Sequence, residues 1–142
     1  MNPQKSNGEY GFTQTWSPTT KVPMIDINDT GKFLTPVLLN PAQYEGKRLT
    51  CAAAYYTPLQ LVNGWAKVTG KRVVYAQTTM DDVNSNLTAE MKRELKSNAG
   101  FMDKWSYFGP TGEDDLKWTL DQMNETPTEW EDFLKANEPW FG

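Results

Sequence analysis

The sequence contains no histidine and only one cysteine, Cys51. Histidine is the commonest metal ligand and the usual base at neutral pH, so its absence excludes the common Cys/His zinc sites and the Ser-His or Cys-His triads. A single cysteine cannot form an internal disulfide. Long apolar runs are also missing, since none approaches the roughly 18 residues of a membrane span, and residues 1–8 are polar. We therefore expect a soluble, cytoplasmic protein without a metal centre.

Positive charge is scarce, because 14 Lys and Arg residues stand against 18 Asp and Glu residues in a chain of 142. The net charge of −4 disfavours a surface for nucleic acid or for an anionic membrane. The imbalance is concentrated in residues 112–142, which hold nine acidic and two basic residues. This pattern predicts either an acidic C-terminal helix pair lying on a slightly basic body or a docking surface for a basic partner.

Apolar residues are frequent enough for one packed domain, at 38% of the chain, and 13% of all residues are aromatic. We expect residues 1–8 to be flexible and residues 9–142 to form a single domain. Alternating or short apolar segments predict about four short strands in a small sheet. These segments are 9–16, 22–27, 47–54 and 71–78.

Helical periodicity and capping residues predict about five helices packed with this sheet, which makes the fold class α+β. The clearest helix follows the capping residue Thr57 and ends at Gly70. An earlier helix follows a cap at Asn28 or Asp29 and contains Pro36, which we expect in or near its first turn.

Three further helices are predicted in the second half of the chain. A long amphipathic helix runs from about Thr88 to Trp105. The next helix begins with three acidic residues before Leu116, which places negative charge at the positive end of the helix dipole. The last helix opens with a predicted capping box, formed by Thr128 and Glu131.

An acid catalyst in a chain without histidine would have to be a carboxyl group or a phenol. Asp26 is the first candidate, because Ile25 and Ile27 bracket it at a strand end, where burial would raise the pKa of its carboxyl group. The alternative is that the Asp26 carboxylate accepts hydrogen bonds from loop amides. Glu94 and Asp103 are further candidates, because they lie in the long helix beside aromatic residues.

Aromatic residues near these acids would line a pocket for a flat apolar ligand. Tyr56 and Tyr107 are the candidate donors that would orient such a ligand. The alternative is that aromatic residues at helical spacing simply pack in the core. The candidate substrate-binding residues are Tyr55, Trp65, Met91, Phe101, Trp105 and Phe108.

Glycine-rich phosphate-binding loops are absent from the sequence. There is no Gly-x-Gly-x-x-Gly run after a strand and no Gly-Lys-Ser/Thr loop. The sequence therefore predicts no dinucleotide or other cofactor.

Six short runs keep a common order and spacing from about Gly8 to Trp140. Together they resemble the C-terminal half of the NmrA-like family, a group of atypical short-chain dehydrogenase relatives, especially its fungal members. The resemblance implies the substrate-side lobe of such a protein, without the N-terminal Rossmann half that holds the dinucleotide. The six runs are Pro23-Met-Ile-Asp-Ile-Asn-Asp-Thr-Gly-Lys-Phe33, Tyr44-Glu-Gly-Lys-Arg48, Ala54-Tyr-Tyr-Thr-Pro58, Val68-Thr-Gly-Lys71, Tyr107-Phe-Gly-Pro110 and Thr128-Glu-Trp-Glu-Asp-Phe133.

The resemblance implies a substrate-type pocket without a redox cofactor. The first functional hypothesis is a cofactor-independent isomerase, cyclase or lyase that acts by acid/base catalysis on a small hydrophobic aromatic metabolite of fungal secondary metabolism. The alternatives are a non-catalytic NmrA-like binding or regulatory module that docks a protein partner, and a truncated NAD(P)-binding family member without activity. A lobe that lacks its sheet neighbours would expose edges and apolar faces, so we expect a homodimer.

Overall fold

A computed structural model describes residues 3–6, 8–79, 82 and 88–141 of the chain. Within these residues the chain forms five short strands and five α-helices, which confirms the predicted α+β class. The strands are β1 (Gln4–Ser6), β2 (Glu9–Gln14), β3 (Val22–Met24), β4 (Ala54–Tyr56) and β5 (Val73–Gln77). The helices are α1 (Thr30–Leu39), α2 (Pro58–Thr69), α3 (Ala89–Trp105), α4 (Gly112–Asp121) and α5 (Trp130–Ala136).

The strands form two small sheets rather than the single sheet that the sequence predicts. One sheet has the order β1-β2-β5, in which β1 is antiparallel to β2 and β5 is parallel to β2, with Phe12 opposite Tyr75. The other sheet pairs β3 with β4 in antiparallel fashion. β1 lies inside the segment that we expect to be flexible, and it is ordered by pairing with β2 in a register that places Gln4 opposite Gly11.

The strand predicted at 47–54 is displaced, because β4 begins only at Ala54. Thr50 and Ala52 are buried, but the segment does not form a ladder along its length. The Thr50 amide donates instead to the Thr119 hydroxyl of α4, at 3.0 Å, and the Ala53 amide donates to the Met24 carbonyl at 2.7 Å. The small side chains therefore serve close packing under α4 rather than strand pairing.

Helix α2 is the centre of the core, and its predicted ends are confirmed. Thr57 and Gln60 form a reciprocal capping box, and Gly70 ends the helix with a φ of 66°, in the left-handed region that favours glycine. The apolar face of α2 packs against β5 and α5. The buried residues of this core are Phe12, Leu61, Val62, Trp65, Val73, Trp130 and Leu134.

One predicted helix cap is confirmed only in position, and another is wrong. Asp29 is the N-cap residue of α1, but its side chain makes no capping hydrogen bond to that helix. Thr128 does not begin α5, which starts at Trp130 after Glu129. The side chains of Asp29 and Thr128 bond to each other instead. Pro36 lies beyond the first turn of α1, where the sequence predicts it to lie in or near that turn, and it is buried inside the helix.

Helix α3 matches its predicted extent and leaves its apolar side chains in solvent. The Thr88 hydroxyl caps it by accepting a hydrogen bond from the Met91 amide at 3.2 Å. Its exposed apolar residues are Met91, Leu95, Phe101 and Trp105. None of the helices in the described part of the chain has the length and apolar character to cross a bilayer.

Candidate functional site

Asp26 is a structural cap rather than a desolvated acid. Its carboxylate accepts hydrogen bonds from the Asn28 amide at 2.9 Å and from the Asn28 side chain at 3.0 Å. These bonds cap a single 3-10 turn over Ile27–Asp29. Ile25 is also exposed, and Ile27 is 80% exposed, so the two isoleucines do not enclose the Asp26 carboxylate in apolar surroundings. The structure corrects the sequence-based reason for choosing Asp26.

The other candidate acids lie apart from Asp26 and from each other. Glu94 is exposed on α3 and lines a shallow cavity of about 450 Å³ with Arg93 and Phe101. Asp103 belongs to a different cavity, and its Oδ1 atom accepts hydrogen bonds from the Thr20 hydroxyl and, at 3.4 Å, from the Ser17 amide. None of the cavities in the described residues brings two of these three acids together. Asp103 shares its cavity with a carboxylate that was not predicted, Glu113, which pairs with Lys21. The three predicted acids therefore do not form one site.

The candidate tyrosines are divided between packing and solvent. The Tyr56 hydroxyl accepts a hydrogen bond from the Trp130 amide at 3.1 Å and so positions the start of α5. Burial raises the pKa of Tyr56. Tyr107 is exposed and packs edge-to-face on Phe108, with ring centroids 4.9 Å apart.

The Tyr55 hydroxyl is buried and makes no hydrogen bond within the described residues. Burial raises the pKa of Tyr55, and the nearby Ser106 side chain offsets part of that effect. The Tyr55 ring meets Phe108 edge-on, with centroids 6.3 Å apart. Tyr55 of β4 therefore packs against the turn after α3, and it also borders an open cavity beside Leu116.

The predicted aromatic pocket does not form as one site. Trp65 is completely buried in the core and packs against Trp130 at a centroid distance of 4.9 Å, so its prediction as a substrate-binding residue is wrong. Met91, Phe101 and Trp105 lie instead on the exposed side of α3. Trp65 packs in the core, which is the alternative that the sequence left open. Met91, Phe101 and Trp105 lie neither in the core nor in an enclosed pocket.

Three of the nine acidic residues after position 111 form ion pairs with the earlier part of the chain. Three ion pairs cross from this segment to basic residues earlier in the sequence, each at 2.7 to 2.8 Å. This arrangement agrees with the interpretation of an acidic helix pair that lies on a basic body. The pairs are Lys21–Glu113, Arg48–Asp115 and Lys67–Glu131.

Two acids outside these pairs lie in a cavity of about 220 Å³ between α4 and α5. Glu125 and Glu129 border it and form no ion pair with any described residue, whereas its apolar wall is Leu120, Met123 and Pro127. We call this feature the acidic cavity. No site is predicted from the sequence at Glu125 or Glu129. What the sequence shows there is the excess of acidic residues after position 111.

One basic residue lies beside the acidic cavity. The Lys32 ammonium group pairs with Asp29 at 2.8 Å and donates to the Thr126 carbonyl at 3.1 Å. Its hydrogen bond with Asp29 is the main cause that raises the pKa of Lys32, and the charge of Glu125 adds a minor contribution. Lys32 is thus held by Asp29 and offsets only part of the negative charge of the cavity.

The sequence model of the NmrA-like family matches residues 1–134. A comparison with curated proteins finds no match. A crystal structure of a doubly substituted NmrA mutant superposes with a TM-score of 0.75 at 17% identity and covers 92% of this chain and 44% of that chain. Structures of NmrA, a negative transcriptional regulator, in complex with NAD and with NADP give TM-scores of 0.72 and 0.69 at 15% and 14% identity, with the same coverage.

The comparisons correct the predicted position of the chain within the family. The prediction of a C-terminal half is wrong, because the matched 44% of NmrA lies in its N-terminal, Rossmann-like region. The parallel pairing of β2 with β5, with α2 packed on β5, is a feature of such α/β units. The prediction of the C-terminal half rested on the six short runs and on their order and spacing. This chain spans less than half of the length of the solved NmrA structures. The family match covers nearly all of the sequence, and the chain belongs to the NmrA-like family.

Proposed function

We propose that this chain is a non-catalytic binding module that docks a basic segment of a protein partner on the acidic cavity. The observation that carries this proposal is the pair of carboxylates, Glu125 and Glu129, that stand unpaired beside an apolar wall. Solved relatives are described as negative transcriptional regulators, a role that acts through contact with other molecules rather than through turnover. The dispersal of Asp26, Glu94 and Asp103 favours a binding role over an acid/base enzyme.

The lining of the acidic cavity suits a long cationic side chain. Lysine and arginine have an aliphatic stem that packs on apolar surface and a charged head that remains close to polar groups. Leu120 and Met123 offer the surface for the stem, and the two carboxylates accept hydrogen bonds from the head. A volume of about 220 Å³ has room for one such side chain rather than for a drug-sized ligand.

The surrounding charge favours a basic partner over an acidic or neutral one. Residues 112–142 carry nine acidic and two basic residues, and Lys32 is already held by Asp29. Charges of one sign around a docking site raise the association rate of an oppositely charged partner and repel like-charged ones. Binding should therefore weaken as the salt concentration rises.

The test uses a fluorescent peptide of alternating arginine and leucine, and a matched peptide with glutamate in place of arginine. We expect the basic peptide to raise fluorescence anisotropy saturably and the acidic peptide to have no effect. The double change Glu125→Gln with Glu129→Gln should weaken binding about tenfold, which corresponds to about 1.4 kcal/mol.

The matched control is Glu138→Gln, which removes one exposed acid from the same segment but from outside the cavity. The Glu138→Gln variant should bind the basic peptide nearly as tightly as the unaltered chain does. If the double variant binds the basic peptide as tightly as the unaltered chain, the acidic cavity is not the docking site. If both variants weaken binding equally, general charge and not the cavity explains the association.

A further inference from the structure

A second groove lies between the C-terminal end of α3, the first turn of α4 and the loop that joins β2 to β3. Its volume is about 550 Å³, which is within the range of small-molecule sites. It shares no lining residue with the acidic cavity. The groove contains hydroxyl groups, two carboxylates and one indole that face a common space, from Ser17, Thr20, Asp103, Trp105, Ser106 and Glu113.

The Asp103 carboxylate is held by hydrogen bonds to one of its two oxygens. Its Oδ1 atom accepts from the Thr20 hydroxyl and from the Ser17 amide, at 3.4 Å for the amide. The Ser17 hydroxyl lies 3.0 Å from the Thr20 hydroxyl, so the loop forms a connected set of polar groups. No described residue donates to Asp103 Oδ2. That oxygen has its acceptor capacity available for a hydroxyl donor from outside the chain.

Trp105 provides an apolar surface at the edge of the groove. Its side chain is 56% exposed, which is unusual for a residue whose burial would be strongly favourable. The Lys104 ammonium group lies 5.1 Å from the centroid of the indole ring. An exposed indole beside fixed polar groups offers contact area for the C–H face of a ring-shaped ligand.

Ser106 follows Trp105 with a φ of 62° and a ψ of 155°, a conformation that is essentially restricted to glycine. Strain of this kind costs about 1–3 kcal/mol and is concentrated at ligand sites and active sites. The Ser106 backbone turns the chain between Trp105 and Tyr107. Helix α3 thus sets where the Trp105 indole lies relative to Asp103, and the strained turn sets where the Ser106 hydroxyl lies.

The charges around the groove balance. Lys21 pairs with Glu113 at 2.7 Å, and Lys104 and Asp103 supply one charge of each sign. The groove therefore has no net charge to attract a phosphate or a cation. The balanced charge favours a neutral ligand. The hydroxyl groups favour a ligand with polar groups at its rim, and the exposed indole favours one with an apolar ring face.

We propose that this groove binds a neutral polyhydroxylated ring, that is, a sugar. The ring C–H face would lie on Trp105, and a ligand hydroxyl would donate to Asp103 Oδ2. The Ser106 hydroxyl has the capacity to donate to a second ligand oxygen. The same chemistry occurs in a free sugar and in the ribose of a nucleoside, so the experiment includes both sources.

The test follows the indole N–H signals of the six tryptophans by two-dimensional NMR during titration with methyl β-glucoside, methyl β-riboside and adenosine. The Trp105 signal is the one that the variant Trp105→Phe lacks. We expect at least one probe to shift this signal saturably, with a Kd of about 1–10 mM for a site of this size. Binding of the glucoside would indicate a general sugar site, and binding of only the two ribose compounds would indicate a nucleoside site.

Asp103→Asn should weaken the binding about tenfold, and the surface change Asp114→Asn should leave it unaltered. Trp105→Ala provides a second test on an exposed side chain whose loss leaves the core intact. Because this variant lacks the Trp105 indole signal, its binding is followed by the backbone amide signals of Ser17 and Ser106, which line the groove. Circular dichroism checks that each variant is folded. The proposal is overturned if no probe shifts the Trp105 signal saturably, or if the folded Asp103→Asn and Trp105→Ala variants both bind as the unaltered chain does.

Discussion

Asp29 accepts hydrogen bonds from both the amide and the hydroxyl of Thr128, which lies 99 residues away in the sequence. The bond from the hydroxyl is 3.1 Å long, and the Asp29 residue is only 3% exposed. Lys32 completes the surroundings of the carboxylate at 2.8 Å. This arrangement joins the start of α1 to the segment that leads into α5, so it fixes the C-terminal part of the chain on the N-terminal part.

Asp29→Ala should lower the free energy of unfolding by about 1–3 kcal/mol, because it leaves the half-buried Thr128 amide without its acceptor. Thr128→Val should have a smaller effect of about 1 kcal/mol, since the amide bond to Asp29 survives. Urea denaturation measures both changes. Thr126→Ala is the control in the same segment, because its exposed side chain makes no contact with Asp29. A stable Asp29→Ala variant would contradict the role of this link.

The same carboxylate predicts a loss of stability in acid. Burial raises the pKa of Asp29, but the hydrogen bonds from Lys32 and Thr128 outweigh it, so that the pKa in the folded state lies below its ordinary value. The stabilisation is therefore complete above about pH 4 and is lost as the pH falls through the folded-state pKa. The difference in unfolding free energy between the unaltered chain and Asp29→Asn should shrink over that range. A difference that stays constant from neutral pH to pH 2.5, or a similar shrinkage in the exposed variant Glu45→Gln, would contradict this assignment.

A homodimer is predicted from the apolar side chains that α1 leaves in solvent. Leu34 is exposed, and Leu38, one turn later on the same face, is 77% exposed. Light scattering at micromolar concentration should give roughly twice the chain mass of 16.2 kDa. Leu38→Lys should shift the protein to the monomer, while the control Leu59→Lys on α2 should not. If the unaltered chain is monomeric, the exposed leucines of α1 do not form a dimer interface, and the prediction is wrong.

No dinucleotide binding is predicted, although the solved relatives hold NAD and NADP. A pyrophosphate needs backbone amides presented by a glycine-rich turn at a helix N-terminus, and the sequence contains no Gly-x-Gly-x-x-Gly run. Titration with NADH or NADPH, followed by calorimetry, should give no saturable signal below about 1 mM. Tight binding would show that another turn of this chain supplies the amides.

The sequence predicts best those elements whose signals are local. Thr57 and Gly70 mark the ends of α2, and the run from Thr88 to Trp105 matches α3, because capping and helical periodicity depend on neighbours within one or two turns. The predicted capping box at Thr128 does not form, because the Thr128 hydroxyl donates a hydrogen bond to Asp29 instead. No local sequence pattern predicts a contact with a residue this distant.

The candidate site depends more strongly on distant contacts. Trp65 has the same helical spacing whether it lines a pocket or fills the core. Its ring contact with Trp130, which is distant in the sequence, places it in the core. The acidic cavity forms where the segment after α4 meets Ala53, and its residues carry no motif. Asp26 is a candidate because of its two isoleucine neighbours, but both are exposed, Ile25 after the end of β3 and Ile27 in a 3-10 turn.

Helix α5 approaches α2 most closely at Gly64, and this contact gives a prediction with a built-in control. A Cβ atom at Gly64 would lie 2.6 Å from the Trp130 ring, whose Nε1 atom donates to the Leu61 carbonyl at 3.1 Å. Because Trp130 is buried and bonded, it has no room to retreat.

Gly64→Ala should therefore destabilise the chain by about 1–3 kcal/mol through overpacking, which exceeds the gain of about 1 kcal/mol in helix propensity. Gly100→Ala is the control, since a Cβ atom there meets nothing within 4 Å on exposed α3. That change should raise stability by about 0.5–1 kcal/mol or increase the helical signal in circular dichroism. Urea denaturation of the two variants compares them directly. If Gly64→Ala is stabilising to the same extent as Gly100→Ala, the contact between α2 and Trp130 is looser than described, and the packing of α5 on the core must be revised.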